Sequence, residues 1–406
     1  MGKKRNTNKV TLAVPLSVAI GGKGGGSIGG PDLSDTSDLE SVYSTSVVGE
    51  GGGADSETRL RAIDNLLLVL NKNCIPESVE KWRGTISEII LNNLKRTVEE
   101  AMRVCSLAAL LSLQLGVGIE DDICEIVNLM CQICADVSAS EVVRSSCAQA
   151  IGLCVYLSVE SHIHRLETMQ TLKSIWSAMK PVGVGGTSLF SSALASWSLL
   201  LERFDSVFIS TQIEEMQPRI CSFLESTTVE ARISAGEALM ILYEIGVENI
   251  DDEFQFSNQN YLEQLLGNLA ADSSKNRAKR DKKLQKLTFR HINDVICNEK
   301  LSQLSVRFNK RETLNIRKCH HKLLYDLLCQ LLKSDLNGHL TKNEVLRELF
   351  DLGPVLSVEE PVKMSKSQKI ERLVQFGEQK KQMNINRSKG RAKKNDHKHA
   401  LIEFED

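Results

Sequence analysis

The sequence predicts an all-α protein, an armadillo/HEAT-like α-solenoid followed by a small basic helical C-terminal domain. Three observations carry that prediction. Hydrophobic residues reach 42% of the chain while aromatics make up 5% and prolines number only 7, a balance that favours aliphatic helix packing over a β-sandwich. From Thr58 onward, helix-length apolar patterns alternate with short punctuations such as Asn73 to Glu77, Gly116 to Gly118, Ser138 to Ser140 and Thr227 to Thr228, and almost nothing reads as strand. Through these patterns runs a repeat at intervals of 44, 41, 43 and 45 residues.

The repeat is clearest on Arg103, Arg144 and Arg232. Three residues on comes a small or apolar side chain (Ser106, Cys147, Ala235), six on comes Ala (Ala109, Ala150, Ala238), and the next position is Leu or Ile (Leu110, Ile151, Leu239). Weaker copies start at Arg59 (Ala62, Leu66, Val69) and Thr187 (Phe190, Ala193, Leu194, Trp197). Residues three, seven and ten along a helix share a stripe, and a small residue beside that stripe lets a neighbouring helix come close. Each unit therefore leaves a face bare until the next covers it, and the stack offers an extended surface suited to gripping macromolecules.

Around this core the sequence divides into four segments. Residues 1–56 are rich in Gly, Ser and Asp, with Gly21 to Gly30 and Gly51 to Gly53, and are expected to be disordered because they cannot bury enough apolar area to offset chain entropy. Residues 57–272 hold the helical repeats. Residues 273–355 form the basic helical domain, in which helical patterns resume from Lys310 to Lys333 and from Asn343 to Leu352. Residues 356–406 read as a basic, largely flexible tail.

Charge separates these segments sharply. Residues 1–272 carry 20 Lys and Arg against 35 Asp and Glu, a balance of −15, whereas residues 273–399 carry 30 against 14, a balance of +16. Such density of cations at one end points to phosphate as the partner chemistry. The candidate nucleic-acid contacts are Lys275, Arg277, Lys279, Arg280, Lys282 and Lys283 at the domain junction and Arg387, Lys389, Arg391, Lys393 and Lys394 in the tail. Interleaved aromatics are scarce (Phe289, Phe308, Tyr325, Phe376), which favours recognition of backbone or shape over base stacking.

Other chemistries find little support. The 11 cysteines sit mostly within apolar helical patterns and read as reduced, buried thiols. Cys131 and Cys134 have metal-ligand spacing, yet no second pair stands at zinc-ribbon distance and their neighbours Ile126, Leu129 and Ile133 are those of a core helix. His162, His164, His320 and His321 have no ligand-spaced partners. The stretch Lys333 to Glu344 imitates a calcium loop, but Lys333 puts a cation at its first liganding position, and Thr341 with Glu344 reads instead as a capping box. No nucleophile elbow, Cys–His pairing or Gly-rich phosphate loop is evident, so no enzymatic activity, metal, cofactor or small-molecule substrate is expected. The apolar run from Val10 to Ile20 is followed at once by glycines and is not expected to direct secretion. No run of transmembrane length is evident and no membrane partner is expected.

One family shares these features. Ala278 to Lys283 followed by Phe289 and Arg290, then Arg307-Phe308, Leu346-Arg347, and above all Phe350-Asp-Leu-Gly-Pro354 resemble, in order and spacing, the C-terminal domain of the interferon-related developmental regulator family. Ala193 to Trp197 and the repeats resemble that family's armadillo-like domain, and Arg387 to Arg391 its closing basic motif. The resemblance implies non-catalytic regulation of gene expression, by occupying ribosomes and restraining translation or by joining histone deacetylase corepressor complexes. The expected partners are the ribosome and its RNA or, alternatively, corepressor proteins, with residence in cytoplasm and nucleus. Arg280, Lys282, Lys283, Arg387, Arg391 and Lys394 are the phosphate contacts expected to matter most.

Overall fold

The computed structural model describes residues 55–181, 185–271, 279–298 and 304–356, with isolated positions beyond them. The leader before residue 55 lies outside the described residues. The chain divides into two compact units, Met1–Val355 and Leu356–Asp406, and the elements below all belong to the first, which holds both the repeats and the C-terminal segment.

Two rows of helices build the repeats. Row A comprises α1 (Ser56–Lys72), α3 (Val98–Leu115), α5 (Glu141–Ser158), α7 (Thr187–Leu201) and α9 (Val229–Asn249). Row B comprises α2 (Pro76–Asn93), α4 (Glu120–Ala135), α6 (His162–Ala178) and α8 (Ser206–Ser222). Each row-A helix packs on the next, and each row-B helix packs on the row-A helix that follows it. The helix starts are written locally. Asp55 and Asp205 accept from the amides of Thr58 and Phe208, Thr97 and Glu100 close a reciprocal capping box, and Pro76 opens α2 where no amide is needed.

Small side chains bring the row-A helices together, as the repeat implies. The Cys105 and Cys147 sulfurs lie 3.6 Å apart, Ser145 reaches Ser188 and Ser192 at 2.9 Å each, and the Ser196 hydroxyl donates to the Ala148 carbonyl at 2.7 Å. Ala109, Ala150, Ala193 and Ala238 are all buried. The connected helical stretch Val98–Ala135 is, against expectation, long and apolar enough to cross a membrane by length and composition, but it is mostly buried within this stack.

Two further helices extend the stack, α10 (Gln259–Ala271) and α11 (Lys279–Ile296), which pack on each other, and α11 also packs on α9. Next come two antiparallel strands, β1 (Leu304–Arg307) and β2 (Thr313–Ile316), in the register Ser305↔Asn315 and Arg307↔Thr313. The helix expected from Lys310 instead begins at Cys319. The Asn309 carboxamide oxygen accepts from the amides of Arg311 and Glu312 and pins a tight turn, and Thr313 to Ile316 alternate exposed and buried side chains at the period of a strand.

The chain then turns back along row A through α12 (Cys319–Leu332), α13 (Leu336–Lys342) and α14 (Glu344–Leu349). The Cys319 amide donates to Glu244 of α9, Gln149 of α5 pairs with Gln330, His339 meets the Asn71 carbonyl at the end of α1, and Asn343 donates to the Leu113 carbonyl of α3. Row A is thus covered from both sides. That explains why α3, α5 and α9 are buried over consecutive residues such as Leu107 to Leu111, Ala150 to Ser158 and Ala238 to Gly246, and not along one stripe. The start of α14 also differs from expectation. Asn343 caps it, accepting from the Leu346 amide, while the Thr341 hydroxyl donates back to the Asn337 carbonyl.

Candidate nucleic-acid interface

Helix α11 joins the basic segment to the stack, and its sequence divides it into two faces. Gln285, Phe289, Ile292 and Ile296 recur at helical spacing and are buried. The Gln285 side-chain oxygen accepts from Arg232 of α9 at 2.7 Å, and Arg232 also donates to the Ser226 carbonyl. Gly236 of α9 makes room for the aromatic anchor, because a Cβ there would lie 2.7 Å from Ile292 and 3.0 Å from Phe289. The opposite face carries Arg280, Lys283, Leu287 and Arg290, all exposed. Buried anchors and solvent-facing cations therefore alternate by helix geometry, and the cations stay where a polyanion can reach them.

Of the candidate contacts, Arg280 and Lys283 lie on this exposed face. Lys279 and Lys282 belong to α11, but their side chains lie outside the described residues, as do Lys275 and Arg277 altogether. Arg387, Lys389, Arg391, Lys393 and Lys394 also lie outside them. Reading charge runs alone overlooks the exposed Arg290 and a second cationic group on the hairpin, Arg307, Lys310, Arg311 and Arg317. These are dispersed among Ser305, Thr313 and Asn315, so no run of cations marks them. Period-two alternation over 304–317 is the one signal that points to them, and it is weak because each strand has only four residues.

Between the segment and α9 lies a polar seam. Lys322 of α12 donates to Asp326 at 2.8 Å; burial disfavours its ammonium, but Glu237 and Asp326 more than offset this and hold its pKa above the usual lysine value. Burial pushes the Glu237 carboxyl up. Burial and then Lys322 push His291 of α11 down. Lys318 pairs with Glu248 at 3.0 Å, which takes that lysine out of the cationic surface.

Arg347 of α14 is nearly inaccessible, 2% exposed, and binds Glu312 at 2.6 Å together with the carbonyls of Leu340, Leu352, Gly353 and Pro354. The Phe350 to Pro354 motif thus has a structural task. It presents carbonyls to one buried guanidinium, with Gly353 at φ +72° completing the turn.

Cys134 sits in the core and Cys131 is half-buried against it, and burial pushes both thiols up to about 12, which disfavours the thiolate that a metal requires. Among the described residues no group of three or more His, Cys, Asp and Glu side chains converges as a metal site. The calcium-like stretch folds as a short helical turn and α13.

The profile of the interferon-related developmental regulator family matches residues 47–297. The chain belongs to this family. It is 30% identical over 312 residues to interferon-related developmental regulator 1 of Sus scrofa, covering 74% of this chain and 68% of that protein. Against the Homo sapiens protein of the same name the values are 30%, 74% and 68%. Interferon-related developmental regulator 2 of Mus musculus is 29% identical over 314 residues, covering 74% of this chain and 70% of its own. The family's matched region ends within one residue of α11's last turn, so Arg280, Lys283 and Arg290 fall inside it, while the hairpin and the Arg347 cluster lie beyond.

Proposed function

We propose that this interferon-related developmental regulator is a non-catalytic regulator of gene expression that binds ribosomes through phosphates of ribosomal RNA and represses translation by occupancy. The observation that carries the proposal is the two-faced helix α11, whose buried Gln285, Phe289 and Ile292 fix an outward row of Arg280, Lys283 and Arg290. Neutralising phosphates with such a row releases counterions, so binding is tight at low salt and falls steeply as salt rises. The tail cations Arg387, Arg391 and Lys394 extend the same chemistry, in a protein resident in both cytoplasm and nucleus.

The alternative is a nuclear adaptor that grips histone deacetylase corepressors through the solenoid. It has less support, because α12 to α14 already cover the row-A helices that such a grip would use.

The test is sedimentation of lysate through sucrose at low and high salt. Native protein is expected in the ribosomal fractions at low salt and near the top at high salt. A protein carrying Arg280→Glu, Lys283→Glu and Arg290→Glu is expected near the top at both. Co-sedimentation of that variant undiminished at low salt overturns the proposal. Charge reversal is preferable to truncation at residue 272, which would strip the cover from row A and expose its core.

A further inference from the structure

The β1–β2 hairpin has no part in the helical repeat and is not a run of basic residues, yet its surface is strongly biased toward positive charge. Its inward side chains, Phe308, Leu314 and Ile316, are buried and seat it on the fold. Its outward side chains are Ser305, Arg307, Thr313 and Asn315, with Arg317 just past the last strand residue and Lys310 and Arg311 at the turn. Glu312 is the one acid between Leu304 and Lys318. It is turned inward and bound by the buried Arg347, so its charge is cancelled where it sits.

The turn is also held in place. Asn309 accepts from the amides of Arg311 and Glu312, its amide group donates to the Glu312 carboxylate at 2.6 Å, and Arg307 donates to the carbonyls of Asn309 and Lys310. A rigid cationic ribbon gives up less conformational entropy on binding than a flexible tail does. At about 3.3 Å per residue, Arg311 to Arg317 spans roughly 20 Å. A duplex carries a charge about every 1.7 Å of axis, so this ribbon faces several phosphates at once. Among the described residues Phe289, Phe308 and Phe350, the phenylalanines of this region, are all buried. They therefore offer a single strand no face for base stacking.

We infer that the β1–β2 hairpin is a second nucleic-acid contact, which grips the phosphate backbone of double-helical RNA through Arg307, Lys310, Arg311 and Arg317. The inference rests on the ribosomal proposal for its choice of RNA, and it assigns residues outside the junction and the tail. The Ser305 hydroxyl donates to the Asn315 side-chain oxygen at 2.9 Å, and the Asn315 amide group and Thr313 hydroxyl on the same face supply neutral donors to sugar and phosphate oxygens.

The experiment uses the purified full chain and a blunt RNA duplex of roughly 16 base pairs, the length a compact duplex-binding module spans. Fluorescence anisotropy is recorded across a salt series for native protein and for a Lys310→Gln, Arg317→Gln variant. Each lost phosphate contact lowers the salt slope by about 1, so the variant's slope is expected to fall by about 2. Lysine acetylation footprinting of the native chain is expected to show Lys310 protected by the duplex, a readout that holds whether or not the variant folds well. An unchanged slope in a folded variant, an unprotected Lys310, or tighter binding of a single strand of equal length than of the duplex each overturns the inference. If the hairpin variant binds duplex like native protein while the α11 charge reversals abolish ribosome sedimentation, the hairpin fails and the ribosomal proposal stands. If the hairpin variant loses duplex binding while the α11 reversals still sediment with ribosomes, the hairpin contact stands and the ribosomal proposal fails.

Discussion

The Arg347 guanidinium and the Glu312 carboxylate meet at 2.6 Å although 35 residues separate them, and this pair ties the hairpin turn to α14. Removing the arginine would leave five backbone carbonyls without this donor, and the carboxylate with the Asn309 amide group but without its cation, in a dry setting. Arg347→Met is expected to destabilise the protein by about 3 kcal/mol, seen as a lower urea midpoint. Arg347→Lys is expected to recover little of this, because an ammonium cannot satisfy a planar fork of acceptors. A lysine variant as stable as native would show that the fork is not what matters.

Acid should weaken the same joint. Arg347 foremost holds the Glu312 carboxyl below the usual glutamate range, against the opposing effect of burial. A carboxylate with a depressed folded pKa contributes stability that is present above its unfolded value and is lost as pH falls through the folded one. Burial, then His320 and Lys318, push His321 down to about 4, with Glu202 and Asp351 opposing. Burial also lowers His339, whose Nε2 donates to the Asn71 carbonyl at 2.8 Å while Nδ1 has no partner. For these histidines the unfolded chain binds protons more readily, so stability is full above about pH 6.5 and falls below it. After allowance for partial exposure, His321 should account for roughly 1 kcal/mol between pH 7 and 5. Urea midpoints at the two pH values check this, and His321→Phe should flatten the difference.

The repeats are legible in the sequence because they are local. Arg103, Arg144 and Arg232 set a register in which a small residue recurs where row-A helices touch, and periodicity reports such contacts directly. The covering of row A by α12 to α14 is not legible, since it depends on pairs such as Glu244 with Cys319, 75 residues apart, and Asn343 with Leu113, 230 residues apart. The hairpin is hidden for another reason. Its strands are four residues each, too short for a period-two signal to outweigh the apolar helix that follows. At the interface, the run containing Arg280 and Lys283 announces itself by charge density. Arg307 and Arg317 are recruited by strand alternation, which sets them among exposed neutral side chains and not in a run.

Glycines separate packing from backbone effects. Gly84 of α2 has open space around the position a Cβ would take, so Gly84→Ala is expected to stabilise the protein by about 0.5–1 kcal/mol through a less mobile unfolded chain and better helix propensity. A thermal melt with a lowered midpoint would contradict it.

Gly236→Ala should do the reverse and carry a functional consequence. Its Cβ would meet Ile292 at 2.7 Å and Phe289 at 3.0 Å, and these are the two side chains that seat α11 on α9. Overpacking of this kind costs about 1–3 kcal/mol, and the strain is relieved most readily by displacing α11, which has fewer neighbours than α9. Faster hydrogen exchange is therefore expected across residues 285–296, with α3 and α5 unchanged. Because Arg280, Lys283 and Arg290 depend on that seat for their common orientation, sedimentation with ribosomes should weaken although no charge has been altered. If exchange in α11 rises while ribosome sedimentation holds at native strength, the cations act as a flexible charge cloud and their fixed presentation by the helix is dispensable.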